Sequence, residues 1–157
     1  MENIGKDYTI IDFEDKYQPA FATLNYAWIE KHFTVEQMDR DALDNPREKI
    51  YKTGGHILLV QIGEEIVGTC ALIKIEDGYF ELAKMAVSEK HRGKGIGYAL
   101  GKATLEKAKE LGAKKIYLES NDVLGAALKL YEKLGFEHIE HKETPYCRCN
   151  VQMGLEL

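Results

Sequence analysis

The sequence predicts an α+β (mixed α/β) fold with a central mixed sheet of about seven strands and about four helices. Three β-rich apolar runs, at 56–62, 66–75 and 79–87, are separated by short turn signals, a pattern typical of an antiparallel meander. The third run is followed by a glycine-rich turn, a helix and another β-rich run at 116–120. This order predicts one parallel, right-handed βαβ step after an antiparallel N-terminal half.

Periodicity and turn residues predict the remaining elements. Helical spacing over 20–33 predicts a helix whose buried face carries Leu24, Ala27 and Trp28, with the stem of Lys31 beside them. The other elements, in chain order, are a strand at 8–13, a short helix at 34–43, a helix after the glycine turn, a helix at 124–134, and strands at 136–139 and 147–157.

Composition limits the classes of protein that fit. The 157 residues are 45% hydrophobic, which suits one domain with a sizeable core. A formal net charge of −5 argues against a nucleic-acid partner. The chain has no apolar run of transmembrane length and begins without a basic leader, so we expect a cytoplasmic protein with no membrane partner. Cys70, Cys147 and Cys149 are predicted to be reduced thiols, and no Cys/His set with metal-ligand spacing accompanies them.

The glycine-rich turn, Arg92-Gly93-Lys94-Gly95-Ile96-Gly97, is the main functional signal. Glycines expose backbone N–H groups there, and the following helix adds its unpaired N–H groups and the positive end of its dipole. The surrounding segment, 84–115, carries nine Lys or Arg against three Asp or Glu. These features predict a site for a phosphate or diphosphate. The chain lacks the P-loop pattern, and the dinucleotide pattern G-x-G-x-x-G is incomplete, which disfavours nucleotide hydrolysis and NAD chemistry.

The pattern R-x-x-G-x-G, formed by Arg92, Gly95 and Gly97, resembles the acetyl-CoA motif of the GNAT acetyltransferase superfamily. Residues 81–87 resemble the bulged fourth strand of that family, and 131–136 resemble its Y-x-K-x-G-F segment. The resemblance implies a single N-acetyltransferase-like domain over 8–157, with 1–7 as a short N-terminal extension. It also implies acetyl-CoA as cofactor, coenzyme A as product, and a homodimer as one assembly.

The resemblance also implies where the coenzyme lies. Its diphosphate would meet the turn, with Lys90, His91 and Lys94 near the adenosine phosphates. Its pantetheine arm would pair with the edge of the 79–87 strand, beside a splayed neighbouring strand. Leu124 departs from the family's asparagine at that position, and Asn121 is the candidate substitute. The implied cofactor residues are Met85, Ala86, Val87, Arg92, Gly93, Lys94, Gly95, Ile96, Gly97, Asn121 and Tyr131.

The implied reaction is direct transfer of an acetyl group to a primary amine of a small molecule or peptide. An amine that is protonated at neutral pH needs a base. Glu81 is the candidate base, and Glu119 or water is the alternative. By resemblance, Tyr131 is the acid that assists the departing thiol. The candidate acceptor-binding residues are Tyr26, Glu30, Phe33, Tyr146 and Arg148. An acetyl-CoA-binding regulatory module without turnover is the alternative function.

Overall fold

The computed structural model describes residues 2–3, 7–140 and 143–157. In these residues a single sheet of eight strands has the order β1-β2-β3-β4-β5-β6-β8-β7. The strands are β1 (Glu2–Asn3), β2 (Thr9–Asp12), β3 (His56–Ile62), β4 (Glu65–Glu76), β5 (Tyr79–Val87), β6 (Lys115–Ser120), β7 (Glu137–His138) and β8 (Val151–Glu156). The α-helices are α1 (Gln18–His32), α2 (Gln37–Asp44), α3 (Ile96–Glu110) and α4 (Gly125–Leu134), and short 3-10 segments at Asp15–Tyr17 and Glu89–His91 and a π-helical turn at Arg47–Tyr51 complete the described helical elements.

The strand pairing confirms the predicted fold class. Strands β1 to β5 pair antiparallel in succession, and β5 pairs parallel with β6 across the α3 connection. β8 then lies antiparallel between β6 and β7. The strand beyond the predicted seven is Glu2–Asn3, which falls in the predicted 1–7 extension and pairs with β2. Residues 1 and 4–6 of that extension lie outside the described part of the chain.

Each face of the sheet has its own hydrophobic core. On one face, Phe21 and Ile29 of α1 and Leu43 of α2 pack with Ile57 and neighbouring strand residues. On the other face, α3 and α4 cover a second cluster that includes Leu100 and Tyr131. The two clusters make a three-layer structure with helices on both sides of the sheet.

The buried face of α1 differs from the predicted one. Phe21, Asn25 and Ile29 are fully buried, whereas Ala27 is exposed and Trp28 is half-buried. The prediction followed apolar residues, and a buried asparagine in the stripe hid the true face. Asn25 is tolerated there because its side chain is hydrogen-bonded, which offsets the cost of removing a polar group from water.

The last two strands are shorter than predicted. β7 is reduced to two residues, and β8 begins at Val151 rather than at residue 147. Cys147 and Arg148 lie in a turn, so Cys147 and Cys149 do not share the face of a strand. In this turn Arg148 is held by the carboxylate of Asp39 on α2, outside the sheet.

No helix in the described part of the chain combines the length and apolar character that crossing a bilayer requires.

Candidate active site

A gap opens between β5 and β6 where their pairing stops. The two parallel strands are in register only from Tyr79 opposite Lys115 to Glu81 opposite Tyr117. β5 continues to Val87, and β6 pairs with it no further. The edge of β5 beyond Glu81 therefore faces an open slot, as expected for splayed strands.

A β-bulge in β5 lies beside this slot. The β4–β5 register shifts between Thr69 and Ala71, opposite Lys84. Lys84 has φ of 52°, in the left-handed region that side chains other than glycine rarely adopt. The hydroxyl of Thr69 donates a 2.9 Å hydrogen bond to the Lys84 carbonyl, which satisfies a buried acceptor at the bulge.

The glycine turn exposes backbone donors at the start of α3. Gly93 and Gly95 have φ of 77° and 80°, and an added Cβ would contact nothing at either position. The glycines are thus required by backbone conformation rather than by crowding. The first hydrogen bond of α3 runs from the Ala99 N–H to the Gly95 carbonyl, at 3.1 Å. The N–H groups of Ile96 and Gly97 precede it and have no helical acceptor.

Two cavities meet at this gap. The one at the turn, here called the loop cavity, has a volume of about 410 Å³ and is lined by Val87, Gly95 and Gly97 among others. The other, here called the carboxylate cavity, has a volume of about 520 Å³ and is lined by Glu81 and Glu119 among others. The residues that line both are His32, Met85, Ala86, Leu124, Ala127 and Tyr131.

Glu81 and Glu119 give the carboxylate cavity its chemistry. Burial, and secondly the nearby charge of Glu119, raise the pKa of Glu81 from 4.5 to about 7. Glu119 accepts hydrogen bonds from the hydroxyls of Tyr117 (2.6 Å) and Thr144 (2.7 Å). Among the described residues no hydrogen bond to the Glu81 carboxylate is formed. Its proton affinity at neutral pH and its position in the wall suit it to exchanging a proton with a bound group.

A buried cluster of charges closes one side of the same cavity. Asp39 accepts hydrogen bonds from Lys84 Nζ (2.9 Å) and from both terminal nitrogens of Arg148 (2.8 and 2.6 Å). Arg148 also reaches Glu36 at 3.3 Å, and Lys84 reaches the Tyr146 hydroxyl at 3.3 Å. Burial alone would raise the pKa of Asp39, but the Arg148 hydrogen bond and the Lys84 charge outweigh it and lower the pKa to about 2. The cluster joins α2, the bulge and the 143–149 segment.

Tyr131 stands at the junction of the two cavities. It comes from α4, is 9% exposed, and its ring meets Phe136 edge-on at 6.1 Å between centroids. Burial raises the pKa of its phenol, so the hydroxyl stays protonated at neutral pH. A protonated phenol here can donate a hydrogen bond to a group that develops negative charge.

The structure brings most of the predicted site residues together. Besides the residues above, Phe33, Tyr146 and Arg148 line the carboxylate cavity, and Arg92 and Gly93 line the loop cavity. Tyr26 and Glu30 lie outside both linings: the Tyr26 hydroxyl donates to Asp44 at 2.9 Å, and Glu30 is exposed. α1 turns another face to the sheet than predicted, and this moves Tyr26 and Glu30 away from the cavities.

Three further predicted contacts are modified by internal hydrogen bonds. The Arg92 Nε–H donates to the Val87 carbonyl at 3.1 Å, which ties the turn to the end of β5. Lys94 lies outside both cavity linings, and its Nζ is 3.4 Å from His91 Nδ1. Asn121 lines the carboxylate cavity, but its amide nitrogen donates to the Arg148 carbonyl (2.6 Å) and its oxygen accepts from Val123 N–H (2.9 Å). Its contact with the coenzyme arm stays a prediction.

Two charged residues of the site were missed from sequence. Lys84 falls in phase with the buried positions Phe80, Leu82 and Ala86 of β5. The alternation of β5 predicts a buried side chain at residue 84, and a lysine at a buried strand position could have indicated a charged partner. Asp39 carried a weaker signal, because an acidic residue in the first turn of a helix is ordinary.

A comparison with protein families identifies the family to which this fold belongs. The model of the acetyltransferase (GNAT) family matches residues 12–136. The chain belongs to the GNAT acetyltransferase family. This GNAT acetyltransferase is 35% identical over 134 residues to the uncharacterized N-acetyltransferase YjgM of Escherichia coli K12, covering 82% of the chain and 78% of the relative. It is 45% identical over 73 residues to N-acetylaspartate synthetase of Xenopus tropicalis, covering 45% of the chain but only 27% of that longer protein.

Solved structures share the fold. A GNAT-family acetyltransferase from Staphylococcus aureus Mu50 superposes with a TM-score of 0.86 at 23% identity, covering 95% of this chain and 98% of its own. The Salmonella typhimurium protein yncA, whose structure contains its cofactor acetyl-CoA, superposes with a TM-score of 0.74 at 18% identity, covering 96% and 94%. At these identities the likeness concerns the fold.

Proposed function

We propose that this GNAT acetyltransferase transfers an acetyl group from acetyl-CoA directly to a primary amine of a small molecule or peptide. The observation that carries the proposal is the meeting of the two cavities at Met85, Ala86 and Tyr131. One cavity offers backbone donors for an anion, and the other offers an ionisable carboxylate beside the same wall. A donor and an acceptor can therefore share one site.

The residues present fit acetyl-CoA. The N–H groups of Gly95, Ile96 and Gly97 would bind the diphosphate, because charge-assisted hydrogen bonds at a helix start suit an anion. The free edge of β5 at Met85 to Val87 would pair with the pantetheine arm as an added strand. When bound, the coenzyme supplies an acetyl group activated as a thioester.

Glu81 would remove the proton from the acceptor amine, directly or through water. A lysine-like amine has a pKa of about 10.4, so reaching its neutral form at neutral pH costs about 4–5 kcal/mol. A base whose pKa is near 7 is ionised in about half of the molecules at neutral pH and in most of them at slightly higher pH, so it can accept that proton. Glu119, held by Tyr117 and Thr144, would keep the pKa of Glu81 high and is the alternative base.

Tyr131 would assist departure of the thiol. Its raised pKa keeps a proton available on the phenol, and a thiolate, with a pKa near 8.5, leaves with little acid assistance. Because the phenol is the weaker acid of the two, we assign Tyr131 a hydrogen bond to the sulfur that strengthens as charge develops there.

Direct transfer is favoured over an acetyl-cysteine route. Cys149 lines the carboxylate cavity, but burial and the charge of Glu119 raise the pKa of its thiol, and its sulfur lies 3.5 Å from the Val151 carbonyl as a donor. A thiol that is held protonated is a poor nucleophile.

The test is thiol release from acetyl-CoA in the presence of a panel of amines, with product acetylation confirmed by mass spectrometry. We expect release with at least one amine, and release lost in Glu81→Gln. Thermal stabilisation by acetyl-CoA but not by ATP or NAD would support the cofactor assignment independently. Acetyl-CoA binding without release for any amine would refute the proposed catalysis and favour a regulatory module.

A further inference from the structure

A buried chain of hydrogen bonds runs from the wall of the carboxylate cavity to the bulge in β5. The Trp28 indole N–H donates to the Asn25 side-chain oxygen (3.1 Å), and the Asn25 amide nitrogen donates to the Thr69 hydroxyl (3.0 Å). The Thr69 hydroxyl in turn donates to the Lys84 carbonyl (2.9 Å). Asn25 and Thr69 are fully buried, and none of these contacts belongs to the mechanism above.

Every hydrogen bond in this series is donated in the same direction, from Trp28 toward the Lys84 carbonyl. Asn25 Nδ2 also donates to the Phe21 carbonyl at 3.0 Å, so both ends of its amide are used. The Thr69 hydroxyl accepts from Asn25 and can therefore direct its own proton only toward Lys84. Fully satisfied buried networks are rigid, and each bond polarises the next. The carbonyl at the bulge is thus held by a fixed donor rather than by a mobile water.

Fixing that carbonyl also fixes the next amide. No peptide bond in the described residues is cis, and the C=O and N–H of a trans peptide point in opposite directions. The Lys84 carbonyl points to Thr69 on β4, so the N–H of Met85 points away from β4. The slot between β5 and β6 opens on that side, and Met85 lines both cavities there.

We propose that Thr69, supported by Asn25, is a positioning residue for acetyl transfer, because it aims the Met85 N–H at the reacting carbonyl. This inference rests on the proposed function, in which that carbonyl lies in the slot. A donor aimed in advance at developing negative charge costs no reorganisation during the reaction. The bulge alone would not fix the direction of the Met85 N–H, because the left-handed backbone conformation of Lys84 is unfavourable and must be held by other contacts.

The first test is kinetic. In Thr69→Val, which keeps the side-chain shape but removes the hydroxyl, we expect kcat to fall about tenfold to about a hundredfold, with the acetyl-CoA KM changed by less than about threefold. Thr69→Ser should restore kcat to within about threefold of wild type. Thr104→Val is the matched control: Thr104 is also buried and donates to a backbone carbonyl, that of Leu100 at 2.8 Å, but within α3. Its kcat should stay within about twofold.

The second test reads the peptide itself without coenzyme. Lys84-Met85 is the one Lys–Met step in the sequence. Labelling lysine with ¹³C at the carbonyl and methionine with ¹⁵N therefore gives a single carbonyl–amide NMR correlation, from this peptide. Loss of the Thr69 hydrogen bond should shift the carbonyl resonance upfield in Thr69→Val and leave it in place in Thr104→Val.

The outcomes separate the two proposals. A Thr69→Val enzyme with wild-type kcat, an equal loss in Thr104→Val, or an unmoved Lys84 carbonyl resonance would overturn the positioning role while leaving acetyl transfer intact. If the wild type releases no thiol with any amine, the proposed function fails. The Met85 amide resonance then tests the aim of its N–H: a shift on adding acetyl-CoA that is lost in Thr69→Val supports the inference, and an unmoved resonance overturns it. Should Thr69→Val not fold, Asn25→Ala removes the supporting donor, and a smaller fall in kcat is expected; an unchanged kcat would contradict the role.

Discussion

Replacing Glu81 by glutamine should change stability and catalysis over the same pH window. Burial and the Glu119 charge raise the pKa of Glu81 from 4.5 to about 7 in the folded state. At about 1.4 kcal/mol per unit, this difference amounts to about 3 kcal/mol of stability. The folded state binds the proton more tightly than the unfolded state. The favourable contribution is therefore complete below pH 4.5 and is lost as the pH rises through about 7.

The glutamine variant cannot lose that proton. Its free energy of unfolding should match that of wild type at low pH and exceed it by up to about 3 kcal/mol above neutral pH. Urea unfolding at about pH 5 and about pH 8 measures the difference. Glu137→Gln, which changes an exposed carboxylate on β7, is the control and should show no such pH-dependent gain.

Kinetics provides the second readout of the same group. For wild type, kcat/KM should rise with pH to a plateau with an inflection near 7, because Glu81 must be ionised to accept a proton. Glu81→Gln should remove that inflection and lower kcat by about a hundredfold or more. A stability difference that does not change between acid and neutral pH, or an inflection that survives in the variant, would refute the reasoning.

Three further predictions concern the turn, the phenol and the charge cluster. Gly95→Asp and its control Gly63→Asp each place a side chain at an uncrowded position with left-handed backbone (φ of 80° and 60°), so each variant should lose about 1–2 kcal/mol of stability. Only Gly95→Asp should also weaken acetyl-CoA binding, by about tenfold or more, as measured by calorimetry. Tyr131→Phe should lower kcat about tenfold with little change in the acetyl-CoA KM; full turnover in a thiol-release assay would show that the phenol has no such role. Asp39→Asn should destabilise the fold by about 3–5 kcal/mol in chemical denaturation at neutral pH, because it leaves the buried cations Lys84 and Arg148 without their carboxylate partner. Adding Lys84→Met to that variant should recover part of the loss, and a cost of Asp39→Asn below about 1 kcal/mol would contradict this account.

The sequence was sufficient for features that depend on local pattern. The meander from 56 to 87 was marked by alternation and turn residues, and the parallel step by a strand, turn and helix of the right lengths. The bulge in β5 was expected from the resemblance, and the register shift opposite Lys84 confirms it. The meander and the parallel step are marked by residues close together along the chain, which the sequence shows directly, whereas the bulge was expected only from the resemblance.

What the sequence did not show depends on residues far apart in the chain. Asp39 meets Arg148 across 109 positions, and Asn25 meets Thr69 across 44, and neither pairing leaves a local pattern. These partners are associated with two of the differences between prediction and structure. A buried Asn25 interrupts the apolar stripe of α1, and Arg148, which the prediction placed in the last strand, binds Asp39 in the turn before β8. A polar residue that is buried with a distant hydrogen-bond partner can be recognised only when the structure shows that partner.

The position of β8 between β6 and β7 also bears on how the molecule is made. β7 leaves the ribosome before β8, yet β8 is its sole partner in the described sheet. During synthesis, the outer edge of β6 therefore waits unpaired until β8 is inserted, and a nascent chain paused at that stage would offer it to other chains. Assembly of this half of the sheet thus cannot follow the order of translation.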